Sequence, residues 1–337
     1  MENQTTLDTF FNSKENGGKE YQINKFFYLD WSKDKNEKIH AQWLITKPTK
    51  INFSQKINCD KLKKGLSFTL CGYFEDDEYQ FTKEKRYKNV AFLRSHLKRN
   101  IQMMDDQKAI PTVIHLMQSQ FRDALEHILQ IHLHDTFLHT GSSVLIWIMI
   151  AIKNKFKIQK CMVEWVLGFV YIICKTKKKD TYKKGNNINY KNIQQELSEY
   201  KKFEKEQESM MYSFHFVNIF YEIECIEQVM ETWKRRFVKK NIQMNAMRIR
   251  SIQIYVNELK IEDWDLSAIH DKNVDNFLSL LFKKFPSLEA DGKTKDILDQ
   301  YNTNMNVRDK TNEPSNEWNM IRKYVRKMQY YFIVSRS

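Results

Sequence analysis

From Lys88 onward the apolar positions recur at helical spacing. Val90, Leu93, Leu97 and Ile101 stand at i, i+3, i+7 and i+11, one stripe of a 3.6-residue helix. Comparable stretches predict helices over about 107–119, 121–134, 140–155 and 160–175. In the last two the apolar face is wide, which places them at the centre of the core. A long amphipathic region follows at about 193–240, a further helix at 242–259, and shorter ones at 271–284, 292–303 and 315–333, with Pro286 and Pro314 as breaks. Ahead of Lys88 the period changes. Residues 66–74 alternate in a strand-like way, Asp76-Asp77 supplies a turn, and Tyr79-Gln80-Phe81-Thr82 is expected to return as the second strand of a hairpin. Residues 1–20 are polar, with Gly17-Gly18 after one short apolar cluster, and predict a disordered tail.

This succession predicts a mainly α protein: a multi-helix globular domain with a small N-terminal β element and a disordered N-terminal tail. The expected divisions are the tail 1–20, a mixed α/β layer 21–87, and a helical domain 88–337 interrupted by a basic, aperiodic loop at 175–192. Only 4 prolines and 8 glycines occur in 337 residues, too few for the many turns of an all-β fold. At 42% apolar residues the chain can bury a substantial core. The most apolar run, Val163 to Cys174, contains Glu164 and is about a dozen residues long. A membrane span needs roughly 20, so a buried core helix is expected and no membrane partner. The polar N-terminus has no apolar signal core, and the five cysteines (Cys59, Cys71, Cys161, Cys174, Cys225) form no C-x-x-C pair. Reduced thiols in a cytosolic or nuclear setting follow from that spacing.

Charge adds a candidate partner. The net charge is +13, and a basic protein of this size is suited to a polyanion, nucleic acid first. The charge is clustered. Lys175, Lys177, Lys178, Lys179, Lys183 and Lys184 fall in the expected loop; Lys234, Arg235, Arg236, Lys239 and Lys240 end a predicted helix, with Arg248 and Arg250 beyond it; Arg322, Lys323, Arg326 and Lys327 share the last helix. Phosphate neutralisation needs such charge at no particular spacing, and a solvated helix face needs it too. The expected DNA-contact residues are Lys177, Lys178, Lys179, Lys183, Lys184, Arg235, Arg236, Lys239 and Lys240.

No familiar catalytic motif accompanies this charge. The chain lacks G-x-x-x-x-G-K-[ST], G-x-S-x-G, H-E-x-x-H and H-x-E with P-C-x-x-C, and it lacks the [DN]-P-P-[WFY] sequence that amino-methylating enzymes use. Glu75, Asp76, Asp77 and Glu78 are acidic but sit together in the expected turn, not in the convergent arrangement a two-metal nuclease requires. His127, His132, His134 and His139, with Asp135 among them, form the one histidine-rich stretch. Seven-residue separations put paired rings about 10 Å apart along a helix, too far for one zinc ion, so hydrogen-bonded or surface histidines are expected. No cofactor and no metal ligand is assigned from the sequence.

The sharpest signal is Gln4-Thr5-Thr6-Leu7-Asp8-Thr9-Phe10-Phe11. It resembles the peptide by which replication and repair proteins bind the sliding clamp PCNA, Q-x-x-[ILM]-x-x-[FY]-[FY], at every specified position. A short 3₁₀ turn brings i, i+3, i+6 and i+7 to one side, so Leu7, Phe10 and Phe11 form a three-pronged apolar plug beside the Gln4 amide. The competing reading is that Leu7, Phe10 and Phe11 pack on the protein's own core; the clamp reading is preferred because exposed aromatics in a polar tail need a partner. The remainder carries a fainter likeness. Leu93-Arg94-Ser95-His96-Leu97-Lys98-Arg99, Ala109 and Asp135-Thr136-Phe137-Leu138-His139 resemble helical accessory domains of replication-linked proteins. The Asn-, Lys- and Gln-rich composition is similar to ciliate coding. In that setting the chain is similar to the small accessory subunits of DNA N6-adenine methyltransferase complexes, which lack the methyl-transfer motif and help a catalytic partner engage DNA. The resemblance implies a nuclear, non-catalytic subunit of a hetero-oligomeric complex, tethering a DNA-modifying enzyme to PCNA and DNA. The alternatives are a repair or replication enzyme such as a nuclease with an unrecognised site, or a clamp-binding checkpoint adaptor.

Overall fold

The computed structural model describes residues 26–31, 39–58, 67–75, 77–81, 90–182, 203–221, 226–238 and 247–254, with short pieces at 223, 244–245, 279, 281–290 and 324. The protein is mainly helical with one small sheet, as the periodicity predicts. It divides into two compact units. The first is drawn from 1–79, 138–162 and 181–249, the second from 80–137, 163–180 and 250–337.

The first unit is built on four strands, β1 (Phe26–Trp31), β2 (Ala41–Leu44), β3 (Phe53–Asn58) and β4 (Ser67–Phe74), in the order β2-β1-β4-β3. β1 runs antiparallel to β2 and parallel to β4, and β3 runs antiparallel to β4. The strand expected over 66–74 is therefore present as β4, but its hairpin partner is not 79–82. β4 is an inner strand with both edges occupied, so no edge remains for a returning segment. Glu78 instead makes an isolated bridge to Gln159. Gly72 in β4 is fixed by close approach: a Cβ there would meet the Phe74 ring and lie 2.8 Å from the Leu29 carbonyl oxygen.

Packed on this sheet is α3 (Ser142–Lys153), whose residues 142–151 are all buried. A helix that is apolar on every side belongs in the middle of a core. Its Trp147 Nε1–H donates to two strand carbonyls, Phe27 at 3.0 Å and Cys71 at 3.2 Å. A second helix of this unit, α5 (Lys205–Tyr221), closes the edge of β2: the Ser209 hydroxyl accepts from the Trp43 backbone N–H and the Ser213 hydroxyl from the Trp43 indole N–H, each at 3.2 Å. Trp43 stacks on Phe27 (4.5 Å, 6°) and Phe216 (4.6 Å, 24°), joining strand to helix through aromatic faces. Tyr221 donates to the Met149 carbonyl at 2.6 Å, and α6 (Ile226–Val238) packs on α5.

The second unit is helical. α1 (Val90–Gln102) lies along α2 (Asp106–Asp135), with Leu93, Leu97 and Ile101 fully buried on the predicted stripe. Asp105 caps α2, accepting from the Lys108 N–H at 3.2 Å. α2 is kinked at Gln120 (φ −152°, ψ 83°), the position where the sequence predicts a break between 107–119 and 121–134. Most of α4 (Lys160–Lys175) belongs here, with Trp165 and Phe169 stacked at 5.5 Å and both fully enclosed. The run Val163 to Cys174 is thus a core helix, and among the described residues no helix is long and apolar enough to cross a membrane. A short helix, α7, covers Pro286–Ala290, with Pro286 at its first position, where its missing N–H costs nothing.

One predicted helix is overturned. Within 242–259, residues 247–254 are not helical, Asn245 bridges to His139, and the Ile252 N–H donates to the Glu164 carbonyl at 3.0 Å. The contacts that hold this segment, the Asn245–His139 bridge and the Ile252–Glu164 hydrogen bond, join it to residues far away in sequence, and they override the local helical pattern. The predicted tail 1–20 and the helices over 292–303 and 315–333 lie outside the described residues, save Tyr324.

Candidate functional site

Gln4, Leu7, Phe10 and Phe11 lie outside the described residues, as do Lys183, Lys184, Lys239 and Lys240. The remaining expected contacts fall in both units, Lys177, Lys178 and Lys179 in the second and Arg235 and Arg236 in the first.

In the second unit the basic run follows α4. The helix stops at Thr176, whose hydroxyl donates to the Ile172 carbonyl at 2.8 Å. Four residues on, Asp180 is 3% exposed and its N–H donates to the Thr136 carbonyl at 3.1 Å. The chain between is pinned at both ends, and it presents Lys177 and Lys178 to solvent with Lys179 half-buried. Lys175, one turn back, reaches the Asp106 carboxylate at 2.5 Å. That hydrogen bond holds the Lys175 ammonium above its ordinary pKa. The same ammonium lies 5.6 Å from the Tyr171 ring centroid. Tyr171 is 38% exposed and is the one exposed large aromatic among the described residues. Sequence reasoning missed it, because an aromatic inside an apolar helix reads as core. Its place opposite the buried side of α4, next to Lys175 at i+4, was the available signal.

In the first unit Arg235 and Arg236 end α6 and diverge. Arg235 projects into solvent and pairs with Glu231 one turn back at 2.7 Å. Such an exposed pair is worth a few tenths of a kcal/mol and yields readily to another anion. Arg236 lies over the Trp233 ring at 4.8 Å. Arg248 is also exposed in this unit. Cations in the last turn of a helix complement its dipole, which accounts for part of this clustering without any ligand.

Three of the four histidines in the histidine-rich stretch, His127, His132 and His139, are hydrogen-bonded. His127 Nε2 lies 2.8 Å from the Arg94 carbonyl oxygen and so donates to it. Thr136 gives its proton to the His132 carbonyl, so His132 Nδ1–H donates to the Thr136 hydroxyl at 2.8 Å. His139 Nε2–H donates to the Met247 carbonyl (2.8 Å), while its Nδ1 accepts from the Gly141 N–H (2.9 Å), which defines one neutral tautomer. Among the described residues no group of three His, Cys, Asp or Glu side chains could hold a metal ion. Cys71 is enclosed between strands, and burial pushes its thiol up to about 12, far from a thiolate nucleophile at neutral pH.

A pocket of about 240 Å³ opens in the first unit where α3 and α5 begin beside β2. His40, Gln42, Thr140, Ser143, Lys205 and Glu206 line it, together with Ala41 and Ser209. His40 Nδ1 and Glu206 Oε1 stand 3.6 Å apart, so two of its ionisable groups face each other. The Thr140 hydroxyl oxygen is buried with no hydrogen-bond partner. The lining suits a small polar group.

No family model, no curated protein and no solved structure matches the chain.

Proposed function

We propose that this protein is a clamp-tethered accessory factor that brings a DNA-modifying complex, an adenine-methylating one in the reading the resemblance gives, to DNA carrying PCNA. The observation that carries the proposal is the complete eight-residue pattern from Gln4 to Phe11. Two aromatic anchors and one aliphatic side chain entering a single groove can supply most of the energy of a small interface. Localisation by such a peptide raises the effective concentration of anything bound to the same chain. A basic surface on each unit supports the second half of the reading, since Lys177, Lys178 and Arg235 offer charge to a phosphate backbone without a deep site.

The test is calorimetric. A peptide of residues 1–20 should bind purified PCNA in the micromolar range, because ordering a peptide on binding consumes part of the interaction energy. Phe10→Ala with Phe11→Ala removes both anchors and should cost at least about 3 kcal/mol. Equal binding by the wild-type and doubly substituted peptides would sink the clamp reading. The complex reading is tested by reconstitution: adding the full chain to its co-purifying partners should raise their activity on DNA. Turnover by the isolated chain, abolished by one acidic or histidine substitution, would replace the accessory role with an enzymatic one.

A further inference from the structure

We propose that the C-terminal end of α4 is a single-stranded DNA site, in which Tyr171 stacks on an unpaired base while Lys175, Lys177 and Lys178 neutralise the flanking phosphates. The inference rests on the DNA-contact half of the proposed function and names the form of DNA that the surface fits. Three observations converge. First, α4 is otherwise committed to the core: Trp165, Val166, Leu167, Phe169, Val170 and Cys174 are at most 1% exposed, yet Tyr171 is 38% exposed. An aromatic ring left in water on a rigid, well-packed helix is a platform that loses little entropy on stacking. Second, the cations are placed rather than scattered. Lys175 is held 5.6 Å from the Tyr171 ring centroid by its bond to Asp106. Lys177 and Lys178 follow on a segment anchored by buried Thr176 and Asp180, and neither forms an ion pair with a described residue. Third, the surface sets one aromatic ring beside several cations, and aromatic stacking combined with backbone-neutralising charge binds single strands with little sequence preference. Duplex DNA keeps its bases stacked on each other and offers this ring nothing to stack on. Asp106 sets a limit on the site: it already holds Lys175, so Lys177 and Lys178 carry most of the charge offered to phosphate.

The experiment measures fluorescence anisotropy of a labelled 20-nucleotide oligothymidylate and of a duplex of equal length, with the full chain, over a series of salt concentrations. Wild type should prefer the single strand. Tyr171→Ala should weaken single-strand binding by about 5- to 100-fold and leave its salt slope unchanged, the loss expected for one stacked base. Tyr171→Phe keeps the ring and should bind within about twofold of wild type, which also controls for folding. Lys177→Ser with Lys178→Ser should instead flatten the slope of log K against log salt by about 1.4, two contacts at about 0.7 each. Binding of the single strand that Tyr171→Ala leaves intact overturns the site but spares the DNA reading. So does equal loss of single strand and duplex. A wild-type chain that binds neither at low salt overturns the site and the DNA reading together, while clamp binding, measured separately, stands or falls by itself.

Discussion

Replacing Trp147 by phenylalanine isolates a single hydrogen-bonded link between helix and sheet. The indole N–H of Trp147 serves the carbonyls of Phe27 on β1 and Cys71 on β4, and all three residues are fully buried. Phenylalanine keeps a ring against Phe53 and Phe156, which meet Trp147 edge-on at 5.8 and 5.6 Å. It removes the donor, and two carbonyls that share one proton lose it in a place water does not reach. That loss costs about 1–3 kcal/mol. The smaller ring also leaves roughly 40 Å³ unfilled, worth about 1 kcal/mol at about 24 cal/mol per Å³. The expected destabilisation is therefore about 2–4 kcal/mol. Because the chain forms two compact units, a global unfolding curve need not be two-state, so a local probe is the better readout. Hydrogen exchange followed by mass spectrometry on peptides covering 26–31 and 67–74 should lose about 30- to 700-fold of protection, at about 1.4 kcal/mol per decade. Protection unchanged within about twofold would mean that the indole N–H is not what holds α3 to the sheet, and the argument would fail.

Gly72→Ala should destabilise the first unit by about 1–3 kcal/mol, because its methyl group must displace the Phe74 ring or the Leu29 carbonyl; a melting temperature equal to wild type would refute this. His215 is fully buried, and burial lowers its pKa from 6.5 to about 4. The unfolded chain therefore takes up a proton between pH 6.5 and 4 that the folded chain refuses, so stability present above pH 6.5 declines across that window, by up to about 3 kcal/mol. Urea midpoints measured from pH 7 to 4 should fall for wild type and fall less for His215→Leu, and parallel curves would remove His215 as the cause. Substituting Lys177, Lys178, Lys179, Lys183 and Lys184 with serine should flatten the salt dependence of DNA binding, with little effect on sequence preference. An unchanged slope in a filter-binding titration would take the whole segment out of the interface.

Helical stretches of the described chain were legible because a 3.6-residue stripe is a local property. Leu93, Leu97 and Ile101 name their own buried face, and the boundary read between helices 107–119 and 121–134 falls where the backbone kinks at Gln120 within one helix. The all-round apolar composition of α3 likewise announced a central helix. The clamp motif and the basic clusters are one-dimensional signals of the same kind, read directly from residue order. Strand partners are a different matter. β4 could be found from its alternation, but pairing with β1 and β3 depends on which edges are free after the chain has folded, and nothing local to Tyr79–Phe81 says that both edges are taken. The segment 247–254 shows the limit from the other side: it reads locally as part of a helix, but the Glu164 carbonyl that receives the Ile252 N–H lies almost ninety residues away. Tyr171 completes the contrast. Its residue type predicts burial, and only the packing of its neighbours in α4 leaves that ring in solvent beside Lys175. Sequence determines which face a helix will bury; tertiary structure alone decides which remaining groups meet, because exposure and proximity are set by contacts distant along the chain.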